Sequence, residues 1–333
     1  MQSAAKNPLP YSVCWHGFPL LLALTALSVA LPVSGSADDD FRESVAASPG
    51  ETFEVEIDFG DGLRPDPGFV RLSSHKGNEV VVRIDTSGWG SWDVEVDLER
   101  RSGRARLDVR ARGTTTWMFG GPNIRIDVDV PEKVGIDIVS WGGNVRVEGV
   151  VGSVRGSLHD ADIRLRDVKG RVKLNLEDSS AAEVEEVRGD FEVSTDSGSV
   201  RAGRISGRAE VRSNEGRVEL HHVKGPITAK SLDADIEMDE IHGPVNVRSE
   251  GGHLTVRFAQ ASGGLIESGA GDVTVTLPAG AGAEVDAKAR GGTVDVAARF
   301  AGERSETHAV GAVGDGGKRL VLRSASGAVR VNQ

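Results

Sequence analysis

The sequence predicts an all-β, single-chain parallel β-solenoid (β-helix) with β-rich caps at both ends, and three observations carry the prediction. Glycine supplies 43 of 333 residues, well above the usual ~7%. Seven of these glycines, Gly152, Gly170, Gly189, Gly207, Gly225, Gly243 and Gly263, recur at spacings of 18, 19, 18, 18, 18 and 20 residues. Between them, apolar residues hold fixed places in each repeat. In 190–207 these are Phe191, Val193, Val200, Ala202 and Ile205; in 208–225 they are Ala209, Val211, Val218, Leu220 and Val223. Each closely spaced pair is a short strand with one buried face, and only stacking of successive coils can make a core from them. Collagen would need glycine at every third position. Disorder would need few aliphatics, whereas 38% of this chain is hydrophobic.

Taken in order, residues 1–37 have the form of a secretory signal. Lys6 is the only charged side chain there, an apolar run extends from Leu20 to Leu31, and Gly35 and Ala37 supply small residues for cleavage before Asp38. That run is shorter than the ~18 residues or more of a spanning helix, although retention as an anchor is the alternative. Cleavage leaves 296 residues with a net charge of −12 and removes Cys14, the single cysteine. The remaining chain then has neither disulfides nor thiolate metal ligands, and its acidic balance argues against a nucleic-acid partner or anionic lipid. No later segment is apolar enough to span a membrane stably.

Residues 38–138 are expected to form an N-terminal cap of entry strands. Phe53–Phe59 and Val80–Ile84 alternate, and Val94–Leu98 and Ala105–Val109 read as a hairpin around Arg101-Ser102-Gly103. Residues 139–282 hold about seven coils of 18–20 residues, a stack of roughly 34 Å at the interstrand spacing. The coil-end glycines suit corners that need positive φ, and a second corner reads Asp196-Ser-Gly198, Asn214-Glu-Gly216 and Glu250-Gly-Gly252. The apolar rhythm is not that of hexapeptide helices, and no calcium β-roll motif is present. A right-handed coil is expected from the general rule for parallel crossovers. Residues 283–333 read as the C-terminal cap, ending in Leu320–Leu322 and Ala328–Val331.

With the repeat established, the chain resembles the bacterial domain-of-unknown-function family labelled "putative adhesin". The stretches that carry the resemblance are Ile124–Ile138, a strand, Pro131 and a second strand; Gly143-Asn-Val-Arg-Val-Glu-Gly149; Gly271-Asp-Val-Thr-Val-Thr-Leu-Pro278; and Leu320–Val331. The resemblance covers nearly all of residues 41–333, in the family's order. The resemblance implies an exported adhesin-like β-solenoid without known catalysis, and it brings no catalytic or binding residues to carry over.

Candidate chemistry is sparse. His159, His221, His222, His242 and His253 occupy five different places in the repeat, so stacking does not gather them, and alternation sends His221 and His222 to opposite strand faces. Asp160, Asp178 and Asp233 share one turn position, and Asp196, Asn214 and Glu250 another; a calcium ladder is conceivable, but ordinary turn preference accounts for them. Ser73-Ser-His-Lys76 matches Ser-x-x-Lys formally but is read as a polar turn. Trp89, Trp92, Trp117 and Phe119 flank the hairpin in glycine-rich loops. They fit a plug for the open solenoid end, the preferred role, or an exposed patch for glycan or protein, the one candidate binding patch. No catalytic residue, metal site or cofactor is expected. The function expected is a non-enzymatic exported protein, periplasmic or extracellular at the cell envelope, with a surface glycan or envelope protein as partner. The alternatives are a carbohydrate-processing β-helix enzyme, disfavoured by the lack of aromatic platforms, and an end-to-end polymerising scaffold, disfavoured by the caps.

Overall fold

The computed structural model describes residues 33–34, 41–59, 68–87, 92–113, 123–297 and 299–333. No helix occurs among them, and therefore none long and apolar enough to cross a membrane. Two sheets, of 16 and 14 strands, face each other. Each coil gives one strand to each sheet: in 190–207 these are Phe191–Thr195 in the first sheet and Val200–Ile205 in the second. The inward side chains form continuous columns. One runs Val145, Ile163, Ala182, Val200, Val218, Ile236, Leu254, Val273 in exact parallel register, every member almost fully buried. Burial of each branched aliphatic contributes about 1.5–3 kcal/mol, which is why the apolar places repeat.

The three-residue step from Ala202 to Ile205 has a backbone cause. A strand alternates with period two, so two buried residues three apart require one extra residue between them. That residue takes a left-handed conformation in five consecutive coils: Asp167 (φ 49°), Glu186 (φ 63°), Arg204 (φ 53°), His222 (φ 52°) and Glu240 (φ 53°). None is glycine, so each costs about 1–2 kcal/mol, offset by the buried residue that follows it: Val168, Val187, Ile205, Val223 or Ile241. A bulge stacked on a bulge leaves the ladder in register on either side, as Glu185 pairs with Gly203 and Val187 with Ile205.

The coil-end glycines correct one expectation. None of the seven has positive φ. A Cβ on Gly170, Gly189, Gly207, Gly225 or Gly243 would instead collide with the carbonyl oxygen of the glycine one coil earlier. Glycine is needed there for close approach between coils, not for backbone handedness.

The parallel stack extends beyond the repeat, because cap strands continue it; among the described residues it has twelve two-strand layers, about 53 Å at the interstrand spacing. Its ends are not threaded in sequence order. Near the C-terminus, Lys318–Ser324 lies between Gly264–Ser268 and Ala283–Ala289, and Val329–Asn332 lies between Val273–Thr276 and Val294–Val296. At the other end Thr52–Asp58 lies between Arg104–Gly113 and Gly135–Trp141. Antiparallel strands then cover both edges of the first sheet: Trp92–Arg101 on Arg104–Gly113, and His308–Val313 followed by Phe300–Arg304 on Ala283–Ala289.

Candidate functional site

An open groove of about 1020 Å³ lies on the outer face of the first sheet, toward its C-terminal end. Six strands build it. Alternation turns Arg212, Lys230, Arg248, Glu267, Arg323 and Lys288 outward, and parallel register sets them side by side in that order. The adjoining corners add Asn214, Leu232, Glu250 and Arg290, while His308 and Val310 of the closing hairpin contribute further lining.

Its charges are unevenly matched. Arg248 pairs with Glu267 at 3.2 Å, and Arg212 pairs with Glu210. Asp286 receives Arg323 at 2.8 Å and Arg319 at 3.1 Å, with His308 at 3.7 Å. The Arg323 hydrogen bond, with Arg319 beside it, holds the Asp286 carboxyl below the usual carboxylate range. Lys230, Lys288 and Arg290 meet no carboxylate within ion-pair distance among the described residues.

Beneath the groove's corner edge runs a buried hydroxyl ladder: Thr195, Ser213, Ser231, Ser249, Ser268 and Ser324 in six consecutive layers. These hydroxyls hold the corners. Ser213 donates to the Gly216 carbonyl at 2.6 Å, Ser231 to Ala234 at 3.0 Å and Ser268 to Gly252 at 3.0 Å. Ser249 and Ser324 also accept from the amides of Gly252 and Gly327, each at 2.9 Å. They are structural caps for buried backbone groups.

A second recess, of about 460 Å³, lies on the outer face of the second sheet, where the Arg146 guanidinium sits 4.9 Å from the Phe69 ring centre. The charges beside it close on one another: Arg164 with Glu183 at 2.6 Å and Arg201 with Glu219 at 2.7 Å.

The residues singled out from the sequence are scattered. Trp89, Trp117 and Phe119 lie outside the described residues, and Trp92 contributes its backbone to Trp92–Arg101. His159 stacks on Trp141 at 5.6 Å and pairs with Glu177 at 3.1 Å. His221 and His222 do not lie on opposite faces; the bulge turns both outward, His221 over Gly203 and His222 3.1 Å from Glu240. The acidic turns are engaged by the adjacent coil: Asp160 accepts from the Ser179 amide at 3.4 Å and Asp196 from Asn214 at 2.5 Å. Among the described residues no group of three or more histidine, cysteine or acidic side chains could hold a metal ion. Ser73 and Ser74 belong to strand Gly68–His75 rather than to a turn, and they donate to Asp129 at 3.0 Å and to the Gly149 carbonyl at 2.5 Å.

The groove itself was missed in the sequence, although Arg212, Lys230 and Arg248 share one place in three consecutive coils and could have signalled it. Lys288, Arg290 and Arg323 give no such signal, because only the non-sequential threading brings them alongside.

No curated protein matches the chain. Among solved structures it is similar to a "putative cell adhesion protein" from Clostridium sporogenes, at 13% identity over 89% of this chain and 100% of that one, with a TM-score of 0.21. It is also similar to "putative adhesin" structures from Bacteroides fragilis (11% identity, 89% of this chain and 98% of that one, TM-score 0.30) and Parabacteroides distasonis (9% identity, 88% and 97%, TM-score 0.25). The family model described as Toastrack DUF4097 matches residues 70–332. That match takes in all the repeats and the threaded C-terminal coil, and the chain belongs to the Toastrack DUF4097 family.

Proposed function

We propose that this protein is an exported, non-enzymatic, adhesin-like solenoid that acts at the cell envelope by presenting a rigid side-chain surface to another macromolecule. The observation that carries the proposal is the groove: six strands in fixed register hold its lining side chains. Recognition on such a surface needs little ordering on binding, which favours affinity from many modest contacts. The hydroxyls at its edge support the same proposal, since Ser213, Ser231 and Ser268 already donate to backbone carbonyls. A nucleophile would need a base beside it instead. Export rests on residues 1–37, with their apolar run and small-residue cleavage site.

The test has two arms. Protein comprising residues 38–333 is labelled and applied to isolated bacterial envelopes, with saturable retention expected and no turnover of a panel of envelope polysaccharides. Hydrolysis or eliminative cleavage of any of them would sink the non-enzymatic assignment. The exported product is expected to begin at Asp38 on N-terminal sequencing; a product recovered only in the cytoplasm would overturn export.

A further inference from the structure

We propose that the first-sheet groove is a binding site for a short, extended acidic polypeptide segment carrying aliphatic residues, supplied by a partner protein. This rests on the surface-interaction role above and names the ligand class for it. Three independent features converge on the groove. Its charge runs against that of the molecule: six lysines and arginines face three carboxylates on a chain of net charge −11. Among those cations, Lys230, Lys288 and Arg290 have no carboxylate within ion-pair distance among the described residues, so their charge is open to a ligand. Both large hydrophobic residues that are exposed among the described residues, Leu232 at 45% and Val310 at 44%, line this same groove. Scattered exposed aliphatics need no explanation; two of them lining one groove together with unpaired cations do.

The ligand class follows from that chemistry. Unpaired ammonium and guanidinium groups select carboxylates. Aliphatic lining without any Trp, Tyr or Phe selects aliphatic side chains over sugar rings, which stack on flat aromatic faces. A long polyanion would meet the acidic remainder of the molecule, so the positive stretch suits a short segment. Crossing six strands at ~4.8 Å each requires about nine extended residues at ~3.3 Å per residue. The contacts are made by side chains on a sheet face, and the complex is therefore salt-sensitive.

Fluorescence anisotropy with a dye-labelled peptide of about nine residues, built from Glu-Leu-Glu repeats, tests the assignment on protein comprising residues 38–333. Saturable binding is expected, weakened about tenfold or more between low and physiological salt. The double variant Lys230→Gln/Lys288→Gln should lower affinity about tenfold or more, and Leu232→Ser about threefold to tenfold, at unchanged melting temperature. A Lys-Leu-Lys peptide should not bind. Absence of Glu-Leu-Glu binding, or equal binding by the double variant, would overturn the site. Stronger competition by polygalacturonate than by unlabelled peptide, undiminished in Leu232→Ser, would overturn the peptide assignment in favour of an acidic polysaccharide. Envelope retention that persists in the double variant while the peptide fails would reject the groove and leave the surface-interaction role standing.

Discussion

The middle of the stack and its C-terminal end use the same coil but close it differently. In the middle, each coil lies on the one made immediately before it, as Ile227–Ser231 lies on Ala209–Ser213. At the end, the coil of Lys318–Ser324 and Val329–Asn332 enters between two earlier ones. A sequential stack always offers an open edge to the next strand, in the same chain or in another. Inserting the last coil moves the edge of the first sheet outward to Ala283–Ala289, where an antiparallel hairpin covers it. The middle thus derives its stability from repetition, and the end derives its closure from departing from it.

Deleting residues 318–333 is expected to have the largest effect. It strips two layers of their shared partner and exposes the edges of Gly264–Ser268 and Ala283–Ala289. Loss of the cooperative melt and concentration-dependent light scattering should follow. An intact melt would show that the inserted coil is dispensable and that the two regions are not different in kind.

Gly225→Ala tests the middle. Its Cβ would collide with the Gly207 carbonyl, and a backbone clash that cannot relax locally costs about 2–3 kcal/mol. Gly280 near the end has open space around the corresponding position and φ of +79°. Gly280→Ala should therefore cost only about 1 kcal/mol, from backbone conformation alone. Urea unfolding of both variants would rank them; equal losses would remove the distinction between stacking glycines and turn glycines.

Ser213→Ala removes a buried hydroxyl that donates to the Gly216 carbonyl at 2.6 Å and should cost about 1–2 kcal/mol in the same measurement.

Acid should act on the end before the middle. Asp272 is held below its ordinary value of 3.8 by the Ala328 amide and by Arg330, and Asp286 by Arg323 and Arg319. All four partners belong to the inserted coil. Because the folded-state pKa values are depressed, their stabilisation is complete above the ordinary carboxylate range and is lost as pH falls through the depressed values. Hydrogen exchange is expected to show Lys318–Asn332 losing protection at higher pH than Phe191–Ile205. Simultaneous loss would contradict this, although Glu219, held down by Arg201, gives the middle some sensitivity of its own. The smallest effect concerns Glu43, whose carboxyl is pushed up by burial and by Asp97. A raised pKa weakens folding as pH rises through it, so Glu43→Gln should raise the melting temperature slightly at neutral pH.

What the amino-acid sequence reveals of this molecule is bounded by what repetition can encode. The inward columns were visible because Phe191, Val193, Val200, Ala202 and Ile205 recur as apolar residues in the next coils. The hydroxyl column was not, since Thr195, Ser213, Ser231 and Ser249 read as turn polarity until the corner geometry shows them buried. The left-handed residue was implicit in the three-residue step from Ala202 to Ile205, but its identity varies from Asp167 to Arg204 to His222, so composition carries no trace of it. The order of layers at the ends depends on which strand edge is free when the chain returns, and no local pattern records that. Half of the groove depends on this order, through Lys288, Arg290 and Arg323.

The inserted coil also constrains when the protein can fold. Lys318–Asn332 supplies partners to residues that precede them by 56 positions, as Gly264 pairs with Leu320 and Val273 with Val329. A chain emerging from a ribosome or a translocation pore can pack its coils from Gly135 to Thr276 one by one, but the layers beyond must wait for Lys318–Asn332. Until then Ala283–Ala289 and Gly264–Ser268 have a gap between them the width of one strand. A folding rate set by that late insertion would be nearly independent of how many coils the middle contains.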